Sequence, residues 1–234
     1  MRRRTQVDSQ FFQRWSPKMA YVLGEVCADG CLVEHANGYH CLNITSKDLS
    51  WLQQLQRTLQ AEQKIGIKRR AYQLQIRNQI LYRSLLDLGL TPRKSKTLQL
   101  PSVPADVFPD FVRGYFDGDG CVMVWREKRW QRGWQLRTTF SSGSSVLLEG
   151  LRSRLSAEAG LTWGSMWFGT RAYCLQYTIE DSVRLYDFMY RGGHSVLYLA
   201  RKRERFERFK RLRSCADQAE PSATLLVPAS SACR

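Results

Sequence analysis

The chain has 234 residues, with 36 Lys and Arg against 21 Asp and Glu, and so a formal net charge of +15. With 43% hydrophobic and 12% aromatic residues it can bury a core, which excludes wholesale disorder and collagen-like or coiled-coil fibres. The charge predicts a polyanionic partner, with nucleic acid first and an anionic membrane surface second.

Residues 1 to 16 read as an N-terminal extension. A helix over about 17 to 29 stops at Gly30, the residue type that usually follows a helix end. Two strands, 31 to 36 and 39 to 45, are joined through Asn37-Gly38, a hairpin signal. Ser46 then reads as the cap of a helix to about 60, with Leu49, Leu52, Leu55 and Leu59 on one face. Strands at 65 to 70 and 71 to 77 and a helix at 78 to 89 complete an α-β-β-α-β-β-α unit over 17 to 91. The proline-containing run 92 to 104 reads as a linker.

The unit then repeats over 105 to 213. VLGEVCADGCL matches VRGYFDGDGCV at an offset of 90. ITSKDLSWLQQLQRTL matches FSSGSSVLLEGLRSRL at an offset of 96, and AYQLQ matches AYCLQ at 101. Helices at 106 to 119, 143 to 158 and 181 to 190 alternate with strands at 121 to 127, 133 to 141, 162 to 168 and 172 to 179. A basic helix follows at about 194 to 213, and the Ala, Ser and Pro-rich end, 214 to 234, reads as a disordered tail. The expected fold class is α+β, with two pseudo-symmetric αββαββα halves, each carrying a four-stranded antiparallel sheet.

Ala20, Gly24 and Ala28 fall at i, i+4 and i+8, and Gly114 and Gly118 repeat the spacing. Small residues in such a row let two helix backbones approach closely, which predicts that the two motif helices pack together. Each ends in an acid, Asp29 or Asp119, against the preference of the helix dipole. Two carboxylates forced together repel unless a cation separates them, and hard oxygen ligands suit Mg²⁺.

These residues, ADGCL and DGDGC after Gly24 and Gly114, together with ITSKD, LTPRKSKT and LARKRERF, resemble the LAGLIDADG homing endonucleases in their single-chain, two-motif form, over about 17 to 212. The resemblance implies a monomer that cuts double-stranded DNA at a long, asymmetric site, with the two sheets forming a saddle on the major groove. It implies that Asp29 and Asp119 bind the catalytic Mg²⁺, that Mn²⁺ substitutes, and that Ca²⁺ binds without cleavage. It further implies an electrostatic role for Lys96 and Lys202, with Lys94 and Arg201 as competitors, and a water-ordering role for Ser46 and Ser142, which read equally well as helix caps. Cys27 departs from the commonest motif, in which an acid stands as Asp117 does in the second copy.

Strand alternation turns Tyr72, Leu74 and Ile76 inward and Gln73, Gln75 and Arg77 outward. In the second copy Leu136, Thr138 and Phe140 face in, and Gln135, Arg137 and Thr139 face out. Gln and Arg read adenine and guanine edges, so the outward set suits base contact. Lys68, Arg69, Arg70, Arg126, Lys128 and Arg129 suit phosphate contact.

The alternative function is a non-cleaving nucleic-acid binder on the same scaffold, either an intron maturase acting on RNA or a regulator. A zinc site from Cys27, Cys31, His35 and His40 matches no standard finger spacing. Seven scattered cysteines argue against a disulfide framework. The first residues lack the apolar centre of a secretory signal, no apolar run reaches a membrane span, and SACR at the end lacks the His-Asn of splicing chemistry. An intracellular, membrane-free location is expected.

Overall fold

The computed structural model describes residues 6–128, 133–162, 164–191 and 197–218. Helix α1 (Pro17–Ala28) starts where Ser16 Oγ accepts the Met19 N–H at 3.1 Å, with Pro17 in the first turn, where no intrahelical donor is lost. Strands β1 (Gly30–Glu34) and β2 (His40–Ser46), helix α2 (Leu49–Thr58), strands β3 (Gly66–Lys68) and β4 (Ala71–Ile76) and helix α3 (Gln79–Asp87) complete the first half. The second half repeats the order as α4 (Phe108–Asp119), β5 (Gly120–Arg126), β6 (Trp134–Ser142), α5 (Ser145–Ala159), β7 (Ser165–Phe168), β8 (Tyr173–Tyr177) and α6 (Ile179–Tyr190). Helix α7 (Ala200–Gln218) follows.

Each half holds one antiparallel sheet, in the orders β1-β2-β4-β3 and β5-β6-β8-β7. In the first, Cys31 lies opposite Asn43 and Asn43 opposite Gln75; in the second, Cys121 lies opposite Thr139 and Thr139 opposite Gln176. These trios are separated by 90, 96 and 101 residues, the offsets of the sequence repeat. The inner faces, with Leu42, Ile44, Leu74 and Ile76 in one half and Val122, Leu136, Phe140 and Leu175 in the other, are buried under the helices.

Between the halves α1 packs on α4. Met19 through Cys27 are all buried, as are Phe111 through Asp117, so both helices are enclosed on every side. A Cβ built at Gly24 would strike the Phe111 carbonyl and stand 2.7 Å from the Tyr115 nitrogen. One at Gly114 would strike the Tyr21 carbonyl, and one at Gly118 the Ala28 Cβ. The helices therefore meet backbone to backbone.

Several local features differ from the sequence reading. Gly30 and Gly120 do not adopt the left-handed conformation of a glycine cap; Gly120 is extended, with φ −93°. They are glycines because a Cβ would strike the backbone of Val26 or Phe116, where the chain folds directly from helix into strand. Asp48, not Ser46, caps α2, its Oδ1 accepting the Trp51 N–H at 3.1 Å, and Ser46 Oγ accepts the Asp48 N–H from two residues earlier. The run read as a linker is packed: Leu98 and Val103 are buried, and Leu100 lies against Gly150 of α5. Helix α7 continues through Gln218, so 214 to 218 do not belong to a disordered tail. The remainder of that tail, 219 to 234, and residues 194 to 196 of the basic helix as read from sequence lie outside the described residues.

Gly114→Ala should destabilise the protein by about 3 kcal/mol, because the obstruction is main chain on a rigid helix and cannot rotate away. Thermal melting beside Gly66→Ala, where an added Cβ has 3.9 Å of room, should show a large loss for the first and a small one for the second.

Candidate active site

The close approach of α1 and α4 delivers Asp29 and Asp119 to one place. Asp29 closes α1 as its C-cap, its N–H bonded to the Glu25 carbonyl at 2.8 Å, and Asp119 ends α4. A Cβ on Gly118 would lie 3.5 Å from Asp29 Oδ2, so the first acid reaches across to the residue preceding the second. Burial raises the carboxyl pKa of both. For Asp119 the nearby Asp29 charge adds to burial and lifts it from 3.8 to about 6.

Two ammonium groups balance the pair. Lys202 is buried on α7, and its Nζ donates to the Phe116 and Asp117 carbonyls at 2.6 Å and to the Gly118 carbonyl at 3.3 Å. These carbonyls belong to the last turn of α4, where a cation also complements the helix dipole. Lys94 is buried in the 3₁₀ turn Lys94–Lys96, its Nζ donating to the Gly30 carbonyl at 2.6 Å. Burial lowers the pKa of both lysines against the opposing pull of neighbouring acids. Both ammonium charges act on both Asp29 and Asp119.

Lys96, the residue expected in this place, is exposed, and Lys94 takes the buried position instead. Arg93 enters the turn in the left-handed region at φ 60°, and the turn leans on the second half, where a Cβ at Gly143 would strike the Ser95 carbonyl. Neither constraint is visible as a local pattern. Arg201 remains exposed at the start of α7, close enough to act on Asp29. Ser142 is buried, its Oγ accepting the Ser144 N–H at 3.1 Å, and Ser144 rather than Ser142 caps α5. Neither Ser46 nor Ser142 is itself the cap of the following helix.

Glu25 escaped the sequence reading. It is buried on α1 four residues before Asp29, and its Oε2 has no hydrogen-bond partner. Burial and the charges of Asp29 and Asp117 raise its carboxyl pKa well above the ordinary value. A single acid within the apolar run AYVLGEVCA was the available signal. Asp117 is buried too: its Oδ2 accepts the Tyr21 hydroxyl at 2.8 Å and the Leu199 N–H at 2.8 Å, while Trp51 Nε1 donates to the Tyr21 oxygen at 3.2 Å. This chain ties α2 and α1 of one half to α4 and the approach to α7 in the other, and so helps fix Lys202. In the first half Cys27 stands at the equivalent place, its thiol pushed up to about 12 by burial.

Among the described residues no three His, Cys, Asp or Glu side chains form a metal cage. The two carboxylates nevertheless fit Mg²⁺, which commonly takes one or two protein carboxylates and completes its shell with water and phosphate oxygens.

On the outer sheet faces, Gln73 bonds Thr45 Oγ1 at 3.3 Å, and Gln75 accepts from Arg77 at 3.2 Å. Lys68, Arg69 and Arg70 are exposed around the β3–β4 turn. Gln135, Arg137 and Thr139 lie opposite Trp125, Met123 and Cys121 on the outer face of the second sheet. Arg126 and Lys128 flank the end of β5, Arg126 exposed and Lys128 also exposed, whereas Arg129 lies outside the described residues. Gln176, the counterpart of Gln75, and the outward Met123, Trp125 and Trp167 were not singled out from sequence.

Neither a protein-family model nor a curated protein matches this sequence. Solved structures do. The LAGLIDADG meganuclease I-AabMI bound to uncleaved DNA is 16% identical, with TM-score 0.60, over 87% of this chain and 92% of its own. I-SmaMI bound to uncleaveable DNA is 11% identical, with TM-score 0.58, over 87% and 91%. The homing endonuclease I-LtrWI bound to target DNA is 13% identical, with TM-score 0.56, over 90% and 92%. The chain has the LAGLIDADG meganuclease fold.

Because Asp119 binds its proton more tightly in the folded than in the unfolded chain, it costs stability that appears as pH rises from 3.8 toward 6. In metal-free buffer Asp119→Asn should therefore melt higher than the wild type above pH 6, with the advantage shrinking as pH falls toward 3.8. Melting curves across that range would detect it.

Proposed function

We propose that this protein is a site-specific, divalent-metal-dependent endonuclease for double-stranded DNA. One observation carries the reading: two carboxylates, Asp29 and Asp119, end a backbone-packed helix pair with the buried ammonium groups of Lys94 and Lys202 beside them. Each helix brings one acid and each half one lysine, a near-twofold arrangement suited to two strands of opposite polarity.

Bound Mg²⁺ would supply Lewis-acid stabilisation of phosphoryl oxygens and a more acidic water. The chain's own part is positional and electrostatic. Asp29 and Asp119 present hard oxygen ligands, and Asp119, lifted to about 6, is ionised above that pH. Lys94 and Lys202, held on main-chain carbonyls, keep fixed positive charge where negative charge develops on the scissile phosphate, without reorganisation at the moment of reaction.

The outer sheet faces offer the reading surface. Their equivalent positions differ: Asn43 against Thr139, Val33 against Met123, and His35 against Trp125. The two halves therefore require different base pairs, and one chain suffices for an asymmetric target. The matched meganucleases, crystallised with DNA, support this partner; no helix among the described residues is long and apolar enough to cross a membrane.

A randomised double-stranded DNA library incubated with Mg²⁺ should yield a discrete cut site that Asp29→Asn/Asp119→Asn leaves intact. Tight binding without cleavage in Mg²⁺ or Mn²⁺ would instead favour the maturase or regulator. On the recovered site, Lys94→Ala should slow cleavage about a hundredfold, as for a lost transition-state donor. Lys96→Ala should leave the rate within a few-fold.

A further inference from the structure

A cleft of about 430 Å³ opens at the free edge of β5, lined by Met123, Val124, Trp125, Arg137, Arg205 and Arg208. Three guanidiniums meet there with no carboxylate in the lining, and among the described residues none of the three forms an ion pair. The Arg137 guanidinium lies 5.0 Å from the centre of the Trp125 ring, and its Nε is buried without a hydrogen-bond partner. Arg205 Nη1 donates to the Val122 carbonyl at 2.9 Å, which fixes α7 against the strand. Like charges gathered without a counter-charge repel, and an anion relieves that repulsion.

The cleft is not isolated. Arg201, Arg205 and Arg208 fall at i, i+4 and i+7 on the exposed side of α7, so they form one stripe. The stripe begins beside Asp29, on which Arg201 acts, and ends at Arg208 in the cleft. Arg137 joins it from the outer sheet face, in the same strand as Gln135 and Thr139. A run of cations leading from the acid pair to the end of a sheet suits a continuous polyanion better than a single small ion.

We propose that α7 is a DNA-contacting element of the second half, in which Arg205 and Arg208, with Arg137 braced by Trp125, grip backbone phosphates beyond the sheet. This rests on the DNA-binding part of the function proposed above. The first half has no counterpart. At the places of Trp125 and Arg137 stand His35 and Cys41, in contact at 3.6 Å, and the chain after α3 passes into the Lys94–Lys96 turn. The grip on DNA is then heavier in the second half.

The test is fluorescence anisotropy of the full chain with a labelled mixed-sequence duplex, between about 50 and 200 mM salt. Arg208→Ala should lower the slope of log K against log salt by about 0.9, the loss of one phosphate contact. Arg208→Glu should weaken binding about tenfold, while Arg208→Lys keeps the slope. Arg57→Glu, at an exposed residue of α2 on the helical side of the first sheet, changes net charge equally and should match the wild type within a few-fold. Melting temperatures of all variants check the fold. An unchanged slope in folded Arg208→Ala, or equal losses for Arg208→Glu and Arg57→Glu, would overturn the α7 contact and leave DNA binding intact. Heat protection by inorganic phosphate that Arg208→Ala abolishes, with no change of slope, would also overturn it. A wild type that fails to bind any duplex would overturn the DNA-binding reading itself.

Discussion

The structure depends on the contact of two helix backbones. Where Gly24 faces Phe111 and Gly114 faces Tyr21, there is no room for even a methyl group. A helix pair brought this close can end in two acids held within each other's field. Desolvation then raises both carboxyl pKa values and the Asp29 charge raises that of Asp119 further, so the pair is a costly feature of the folded state that the two buried lysines only partly offset. The cost is consistent with a place that uses charge rather than one that merely packs.

The same contact makes the two halves interdependent. The turn that carries Lys94 belongs to the end of the first half but rests on Gly143 of the second. Asp117 of the second half holds Tyr21 of the first and the approach to the helix that carries Lys202. Each lysine is thus positioned in part by the other half. The symmetry is also imperfect: Lys202 holds three carbonyls of the α4 terminus, Lys94 one at Gly30, and Cys27 stands where Asp117 does.

Much of this was legible in the residues. Offsets of 90, 96 and 101 reappear as cross-strand partners because strand register follows the alternation that buries one face. The glycine rows and the acids that follow them pointed to the helix pair. Other features depend on tertiary position and leave no local trace. Lys94 and Lys96 are alike in sequence, and only the left-handed Arg93 and the contact at Gly143 decide which is buried. Ser46 and Asp48 both suit a cap, and the chain places the cap at Asp48, two residues beyond Ser46. Glu25 reads as one polar interruption of an apolar helix until the second helix covers it.

The most direct test of the central claim is anomalous scattering from Mn²⁺ in crystals of the protein bound to duplex DNA. The account predicts metal density about 2.1 Å from carboxylate oxygens of both Asp29 and Asp119. Ordered DNA on the sheets with no metal at either carboxylate would contradict it.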